Sequence, residues 1–310
     1  MFSFATIDFF MTDVSVIIIN YNTAKYTLEC IQSVIDFTTE KLSYDIIVVD
    51  NNSESKDYEH LKSNFPKAKN ISLHRSVINT GFGGGNMFGA QFVNSKYLLF
   101  LNNDAMLQND CLGILHSYME MNLNVGVSSA QNYDEHGKHV ISFDHDKGIR
   151  KLIFGRSFLE KNFPKTHPKR KKEYTEPVTV NFVNGAFMFF RSDVFSKIGG
   201  FDTNIFLYFE EMDTCFRLRQ HNYTSVLVPE AKILHYQGVS TGTNKTISKE
   251  GFISHLYVIK KNYSFAKYYF IKWYYCLTFL IKPKKWFMLS LAWKGAPLSE
   301  SLKQKQEIRY

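Results

Sequence analysis

The segment Val14–Asn20 (VSVIIIN) decides the fold of this 310-residue chain. A continuous run of apolar, β-branched residues is typical of a strand buried on both faces, as in a parallel sheet. Thr23–Phe37 follows with apolar side chains at helical spacing, and Asp45–Asp50 (DIIVVD) predicts a second buried strand. This strand–helix–strand order indicates an α/β doubly wound sheet.

The same alternation continues along the chain. We expect a third strand at Ile71–Val77, a glycine-rich turn at Gly81–Gly85, a helix at Asn86–Asn94 and a fourth strand at Lys96–Leu101. The second half is less regular. Its further predictions are strands at Val125–Gln131, within Val178–Arg191, at Ser225–Val228 and at Lys232–His235, and a mobile, basic loop at Ile149–Pro177.

The composition excludes several classes of protein. Hydrophobic residues make up 45% of the chain and charged residues 21%, which excludes a disordered or fibrous protein. The four cysteines contain no CxxC pair, so neither a disulfide framework nor a zinc finger is expected. Met1–Phe10 lacks the basic start of a secretory signal. These features favour a reducing, cytoplasmic compartment.

The net charge of +8 is concentrated in the last fifth of the chain. Residues 251–310 hold 11 basic and 2 acidic residues together with 15 aromatic ones. Ser264–Ile281 is the most apolar stretch, but Lys267 and Lys272 interrupt it, which disfavours a membrane span. We expect a helical tail that lies on the cytoplasmic membrane surface. A helical layer packed on the core, or a dimer interface, is the alternative.

Polar side chains follow the predicted strands. They are Asn20-Tyr21-Asn22, Asp50-Asn51-Asn52, Asn79 beside the glycine turn, and Asn102-Asn103-Asp104. In open α/β sheets, ligands bind outside the carboxyl ends of the strands. This repetition predicts a site for a polar ligand.

Three groups of residues could carry chemistry there. Asp104 could hold a divalent cation against a diphosphate, or its triplet could form an Asx-type turn. Glu210-Glu211-x-Asp213 could supply a general base, because clustered acids raise one another's pKa, or could be an acidic helix N-terminus. His235 could bind a metal or phosphate, or could be structural.

Other common motifs are absent from the sequence. Gly81–Asn86 fails the dinucleotide pattern G-x-G-x-x-G, because Asn86 stands where the last glycine is needed. The chain contains no P-loop motif and no G-x-S-x-G nucleophile elbow. A P-loop ATPase and an α/β-hydrolase are therefore excluded.

Taken in order, seven segments resemble glycosyltransferase family 2, the inverting enzymes with a GT-A fold, and within it the bacterial rhamnosyltransferase-like branch. The segments are VSVIIINYN, IIVVDNNS, NTGFGGGN, LLFLNND, FVNGAFMFFR, GGFDTNIFLYFEEMDTCFRLR and VPEAKILHYQGVST, within residues 14–245. The resemblance implies a glycosyltransferase domain over 1–250, with a nucleotide-binding half at about 14–110 and an acceptor half at about 111–250, followed by the tail 251–310.

The resemblance also implies roles for individual residues. Binding of the nucleotide sugar is implied for Asn20, Tyr21, Asn22, Asp50, Asn79, Gly81, Asn86, Asn102 and Asn103. Metal binding is implied for Asp104 and His235. Glu211 would be the catalytic base next to Glu210, with Asp213 as a substitute. The sequence departs from the family pattern at Asn102, which replaces the first acid of the DxD-like motif, and at Glu211, which replaces an aspartate.

The implied activity is inverting transfer of a sugar with Mn²⁺ or Mg²⁺ as cofactor. The donor would be a nucleotide-diphosphate sugar. The resemblance to the rhamnosyltransferase-like branch suggests deoxythymidine-diphosphate rhamnose. The acceptor would be a glycan or a lipid-linked saccharide in bacterial cell-surface polysaccharide synthesis. An inactive sugar-nucleotide-binding protein and a nucleotidyltransferase are the alternatives. The order of the motifs argues against a nucleic-acid partner.

Overall fold

The computed structural model describes residues 12–236 and 244–309. The strands are β1 (Thr12–Asn20), β2 (Tyr44–Asp50), β3 (Ile71–Arg75), β4 (Ser95–Asn102), β5 (Ala105–Leu107), β6 (Val125–Tyr133), β7 (Phe143–Asp144), β8 (Val178–Val180), β9 (Phe182–Val183), β10 (Phe187–Arg191) and β11 (Thr224–His235). The α-helices are α1 (Ala24–Phe37), α2 (Ser55–Ser63), α3 (Gly81–Gly89), α4 (Cys111–Met121), α5 (Ile149–Phe154), α6 (Arg156–Asn162), α7 (Ser192–Lys197), α8 (Glu210–Gln220), α9 (Lys245–Asn262), α10 (Phe265–Ile281) and α11 (Leu289–Trp293).

The main sheet has the strand order β3-β2-β1-β4-β10-β6-β11-β5, with β8 paired to β11. The strands β3, β2, β1, β4, β6 and β11 run in one direction, so the sheet is mostly parallel, as predicted. The register pairs Asn20 with Asp50 across β1 and β2, and Ile19 with Asn102 across β1 and β4. The polar residues that end these strands therefore meet at one edge.

The glycine run forms a helix, so its prediction as a turn was wrong. Helix α3 begins at Gly81, five residues before the predicted start at Asn86. A Cβ atom added at Gly85 would lie 2.9 Å from Ile19 Cδ1, and one added at Gly89 would lie 2.6 Å from Ile17 Cγ2. The glycines therefore let α3 lie directly against β1. This tertiary packing outweighs the low helix propensity of glycine.

The segment predicted as a mobile loop, Ile149–Pro177, contains α5 and α6, so that prediction was also wrong. Arg170 is 6% exposed, and its Nη1 atom lies 2.9 Å from Asp144 Oδ1. Its Nε atom lies 3.6 Å from Glu160 Oε1. The basic run suggested a mobile loop because its ion pairs with Asp144, outside the segment, and with Glu160, within it, could not be recognised from the sequence. Likewise, the two short strands predicted at 225–235 are one strand, irregular between Val228 and Lys232.

The tail is part of the same core as the sheet. Phe252, Leu256 and Ile259 of α9 are buried in one apolar cluster with Phe100 of β4 and Phe190 of β10. The predicted domain boundary at residue 250 falls inside α9. Within the described ranges, 12–236 and 244–309, none of the helices combines the length and apolar character that a membrane crossing requires.

A substitution at Gly89 tests the close contact between α3 and β1. We expect Gly89→Ala to lower the free energy of unfolding by about 1–3 kcal/mol, because the new methyl group overpacks against Ile17. Gly148→Ala is the matched control, since the nearest atom to its added Cβ is 3.9 Å away. Chemical denaturation measures both; equal stability of the two variants would contradict the proposed packing constraint.

Candidate active site

A cavity of about 670 Å³ opens at the carboxyl ends of β1 and β4. One wall comes from the loops after β1, β2 and β3, and a second from the residues that follow β4. Further lining residues come from the turn before β10 and the start of α8. The polar lining residues are Tyr21, Asn51, Asn79, Asn102, Asn103, Asp104, Asn184, Tyr208, Glu210, Glu211, His235 and Gln306. The cavity therefore brings together residues from distant parts of the chain.

Strand pairing places Asp104 beside His235. Strand β5 pairs antiparallel with the end of β11, with Ala105 opposite His235. His235 Nε2 lies 3.4 Å from Asp104 Oδ1, and both residues are buried. His235 Nδ1 is buried and has no hydrogen-bond partner among residues 12–236 and 244–309. The pair presents an oxygen and a nitrogen ligand side by side in the cavity.

The two glutamates enter the cavity because the chain turns sharply before α8. Tyr208 and Phe209 have positive φ angles of 70° and 73°, a left-handed conformation that is uncommon for large residues. Burial raises the pKa of Glu210 well above its usual range, and the carboxylates of Glu211 and Glu250 raise it further. Burial also raises the pKa of Glu211, although Lys147 counteracts part of the effect. Both carboxyl groups therefore hold protons more tightly than ordinary glutamates.

Asp213 does not line this cavity. It lies two residues beyond Glu211, about 200° around the axis of α8. Its side chain is fully buried, and its oxygens lie 2.7 Å from Arg217 Nη2 and 3.0 Å from Lys261 Nζ. Asn262 Nδ2 donates a further hydrogen bond to it at 2.8 Å. Asp213 ties α8 to α9, so its expected role as a substitute base is not supported by its position.

Asn20 and Asp50 lie behind the cavity wall. Asn20 Nδ2 donates to Asp50 Oδ2 at 2.9 Å, and both side chains are fully buried. Arg75, opposite Asp50 in the β2–β3 register, places its Nε atom 3.4 Å from Asp50 Oδ1. Asp57 accepts a further hydrogen bond from Asn20. This buried polar network supports the loops, and no sequence pattern marked Arg75 or Asp57 as part of it.

The other predicted nucleotide-binding residues divide into two groups. Tyr21, Asn79, Gly81, Asn102 and Asn103 line the cavity. Two residues do not. The side-chain oxygen of Asn22 accepts a hydrogen bond from the Glu54 amide, and Asn86 donates to the Phe82 carbonyl inside α3. These two asparagines therefore hold the backbone around the site.

Asn51 is a cavity residue that was not assigned a role from sequence. Its Oδ1 atom accepts hydrogen bonds from the amide and hydroxyl of Thr80, and its Nδ2 atom donates to Asn79 Oδ1 and the Gly81 carbonyl. It therefore fixes the loop after β3 against the loop after β2. Its place beside Asp50 at a strand end was the available signal. Leu302 and Gln306 also line the cavity, and no sequence pattern marked them.

A conservative substitution tests the buried charge of Glu210. The raised pKa means that the carboxylate is disfavoured in the folded state, so the protein loses stability as pH rises from the unfolded value near 4.5 through the folded value. We expect Glu210→Gln to raise the melting temperature by about 2 °C or more at pH 8, and by less at pH 4. The exposed Glu230→Gln is the control. A pH-independent difference would contradict the assigned cause.

Comparison with known sequences identifies the family. The profile of "Glycosyl transferase family 2" matches residues 15–199, more than half of the chain. Rhamnosyltransferase WbbL of Escherichia coli (strain K12) is 28% identical over 166 residues, which are 50% of this chain and 61% of the relative. N-acetylglucosaminyl-diphospho-decaprenol L-rhamnosyltransferase of Mycobacterium tuberculosis (strain CDC 1551 / Oshkosh) is 36% identical over 74 residues, 23% of this chain and 24% of the relative. The matched part thus spans less than two thirds of either relative.

Solved structures support the fold. GalNAc-T7, determined with UDP, GalNAc and Mn²⁺, superposes with a TM-score of 0.62 at 16% identity, covering 93% of this chain and 57% of that one. Mannosyltransferase PcManGT of Pyrobaculum calidifontis, determined with GDP-Man and Mn²⁺, gives a TM-score of 0.56 at 12% identity, covering 94% and 88%. The chain belongs to glycosyl transferase family 2 and has the GT-A fold, and its resemblance to the rhamnosyltransferase-like branch is confirmed.

Proposed function

We propose that this glycosyltransferase moves a sugar from a nucleoside-diphosphate donor to an acceptor hydroxyl with inversion of the anomeric carbon. The observation that carries the proposal is the common cavity. Asp104, His235 and Glu211 all line it. A single in-line displacement needs two sets of residues at one site, of which one holds the leaving group and the other activates the nucleophile.

The charge of the cavity supports a divalent cation as cofactor. Asp104, Glu210 and Glu211 line the cavity, whereas no lysine or arginine is among the lining residues in the described part of the chain. A diphosphate is repelled by such a lining unless a cation accompanies it. Asp104 and His235 would hold that cation; together they fit Mn²⁺ better than Mg²⁺, which prefers oxygen ligands alone. When bound, the cation neutralises charge on the departing diphosphate.

The described residues supply only part of a full coordination shell. No group of three histidine, cysteine, aspartate or glutamate side chains is close enough to hold a metal ion within 12–236 and 244–309. Two protein ligands suit a metal that shares its remaining positions with substrate phosphates and water. The replacement of the first DxD acid by Asn102 is consistent with that arrangement, because His235 would provide the second protein ligand.

Glu211 is the proposed base. An acceptor hydroxyl becomes a good nucleophile only as its proton is removed, and a carboxylate with a raised pKa accepts that proton more readily than an ordinary one. Burial raises the pKa of Glu211. The positive charge of Lys147 opposes part of this rise and thereby favours the ionised carboxylate that a base needs. The extra methylene of Glu211 relative to an aspartate leaves the carboxylate in the cavity. This position favours catalysis over binding alone.

We propose rhamnose carried by deoxythymidine diphosphate as the first donor to test. Two relatives are named as rhamnosyltransferases, and the mycobacterial name specifies a lipid-diphosphate-linked saccharide. A hexose donor is the second choice, since a Haloferax volcanii relative that is 24% identical over 233 residues is named as a hexosyltransferase. The corresponding acceptor would be a glycan or lipid-linked saccharide used in bacterial cell-surface polysaccharide synthesis.

An apolar face of the C-terminal helices supports docking on a membrane that carries such an acceptor. This face, the aromatic face, consists of the exposed residues Phe265, Phe270, Trp273, Leu277, Leu280, Ile281, Trp286 and Trp293. The exposed lysines Lys267, Lys282, Lys284 and Lys285 flank it. Aromatic residues favour the lipid interface, and lysines are attracted to the anionic cytoplasmic leaflet. We propose that the protein is peripheral on this leaflet.

Substitution of the proposed base separates catalysis from binding. We expect Glu211→Gln to lower kcat by about 10²–10⁴-fold, because removal of a general base has this magnitude. The affinity for the nucleoside diphosphate should remain within twofold, since the amide keeps the size of the side chain. The exposed Glu176→Gln is the control. Near-wild-type transfer by folded Glu211→Gln would contradict the assignment.

Vesicle flotation tests the membrane proposal. We expect full-length protein to float with vesicles that contain phosphatidylglycerol, and a variant with Leu277→Ser, Ile281→Ser and Trp286→Ser to remain in the soluble fraction. Met121→Ser is the control, because Met121 is 76% exposed on α4, outside the aromatic face. Equal flotation of the triple variant and the wild type would contradict docking through this face.

A further inference from the structure

The last described residues of the chain return to the cavity. Residues 301–309, here called the C-terminal strap, are attached at one end to α9. Glu250 is 1% exposed, and its Oε1 and Oε2 atoms each accept a hydrogen bond of 2.7 Å, from the Ser301 hydroxyl and the Leu302 amide. A buried carboxylate with two such partners is a firm anchor, because breaking either bond would leave its charge less well satisfied.

The other end of the strap is attached to the loops after β2 and β3. Asn52 Nδ2 donates to the Glu307 carbonyl at 2.9 Å. The Arg309 amide donates to the Val77 carbonyl at 2.8 Å, and Ile308 forms an antiparallel bridge with Ile78. These loops also contain Asn51 and Asn79, which line the cavity. The strap therefore spans the site from α9 to the strand ends.

Between its two anchors, the strap contributes Leu302 and Gln306 to the cavity lining. Gln306 Nε2 donates to the Leu302 carbonyl at 2.9 Å, which holds the carboxamide over the turn of the strap. A carboxamide has two N–H donors and one carbonyl acceptor, so this bond leaves capacity for a ligand. The strap is attached to the rest of the protein through the Ser301 hydroxyl and through its own backbone groups. None of these attachments involves the Gln306 side chain.

We propose that the C-terminal strap is a wall of the donor site and that Gln306 binds the nucleoside portion of the donor. The inference rests on the proposed function, because it assumes that the cavity holds a nucleoside diphosphate. Gln306 lies next to Glu307, whose carbonyl is bound by Asn52 beside the cavity residue Asn51. The loops at these strand ends are where nucleotides bind in α/β sheets. Nucleoside bases and riboses offer both donors and acceptors to a carboxamide.

Titration with nucleoside diphosphates tests this role. Calorimetry with dTDP and with UDP, each in the presence of Mn²⁺, should give an affinity for Gln306→Ala that is about five- to tenfold weaker than for wild type, as for the loss of one hydrogen bond. Gln304→Ala is the matched control, because Gln304 belongs to the same strap but is exposed and does not line the cavity. Its affinity should remain within twofold of wild type, and the melting temperatures of both variants should match wild type.

The outcomes separate the two proposals. Wild-type affinity in Gln306→Ala, with binding intact, would overturn the role of the strap and leave the proposed function standing. A wild-type protein that binds neither dTDP nor UDP would overturn the donor assignment and the strap inference together. Equal weakening by Gln304→Ala and Gln306→Ala would also overturn the specific role of Gln306. Hydrogen exchange at the Leu302 and Arg309 amides should slow when dTDP and Mn²⁺ are added, because a bound ligand stabilises the wall that it contacts. Unchanged exchange in a complex that does form would contradict contact between the strap and the ligand.

Discussion

The architecture of the site depends on strand register. Parallel pairing of β1 with β2 and β4 brings the ends of three buried strands to one edge of the sheet, and the short β5–β11 pairing then places His235 against Asp104. A shift of one residue in a strand would turn its side chains to the opposite face. The side chains of these strands pack into two apolar clusters, one on each face of the sheet, so such a shift would bring each side chain against the wrong neighbours. The hydrophobic core thereby fixes the positions of the polar groups at the strand ends.

The same arrangement creates an electrostatic demand. Asp104, Glu210 and Glu211 lie in one cavity, and burial raises the pKa of each of the two glutamates. In the proposed function, the Asp104 carboxylate and any ionised glutamate repel a diphosphate, and a bound cation offsets this repulsion. We therefore propose that the acidic lining has two roles: it supplies a base for the acceptor and it favours a cation on the donor side.

Much of the fold could be predicted from sequence because continuous apolar runs and apolar periodicity both indicate burial directly. Val14–Asn20 and Asp45–Asp50 could be identified as buried strands on this basis. The glycine helix could not, because it depends on how closely α3 approaches Ile17 and Ile19 of β1. Local charge was similarly misleading at Arg170, because its ion pairs with Asp144 and Glu160 form only when the chain folds.

The residues of the candidate site also fall into those that local sequence patterns marked correctly and those that they did not. Strand ends marked Tyr21, Asn79 and Asp104, which line the cavity. Sequence proximity also marked Asp213, but the helix turns this residue towards Arg217 and Lys261. Gln306 reaches the cavity only because the chain returns across the sheet edge, and nothing in its neighbouring residues indicates that path. Local patterns thus locate the strand ends, whereas contacts between distant segments determine which side chains share the cavity.

The most direct measurement is a titration with Mn²⁺ in the presence of saturating dTDP, in which electron paramagnetic resonance reports the bound metal. We expect the wild type to bind one Mn²⁺ per chain, and Asp104→Asn and His235→Ala each to weaken this binding at least tenfold, as expected for the loss of a ligand atom. Glu211→Gln should bind Mn²⁺ as the wild type does, because the role proposed for this residue is at the acceptor and not at the metal. Undiminished Mn²⁺ binding by both the Asp104 and His235 variants would contradict the account.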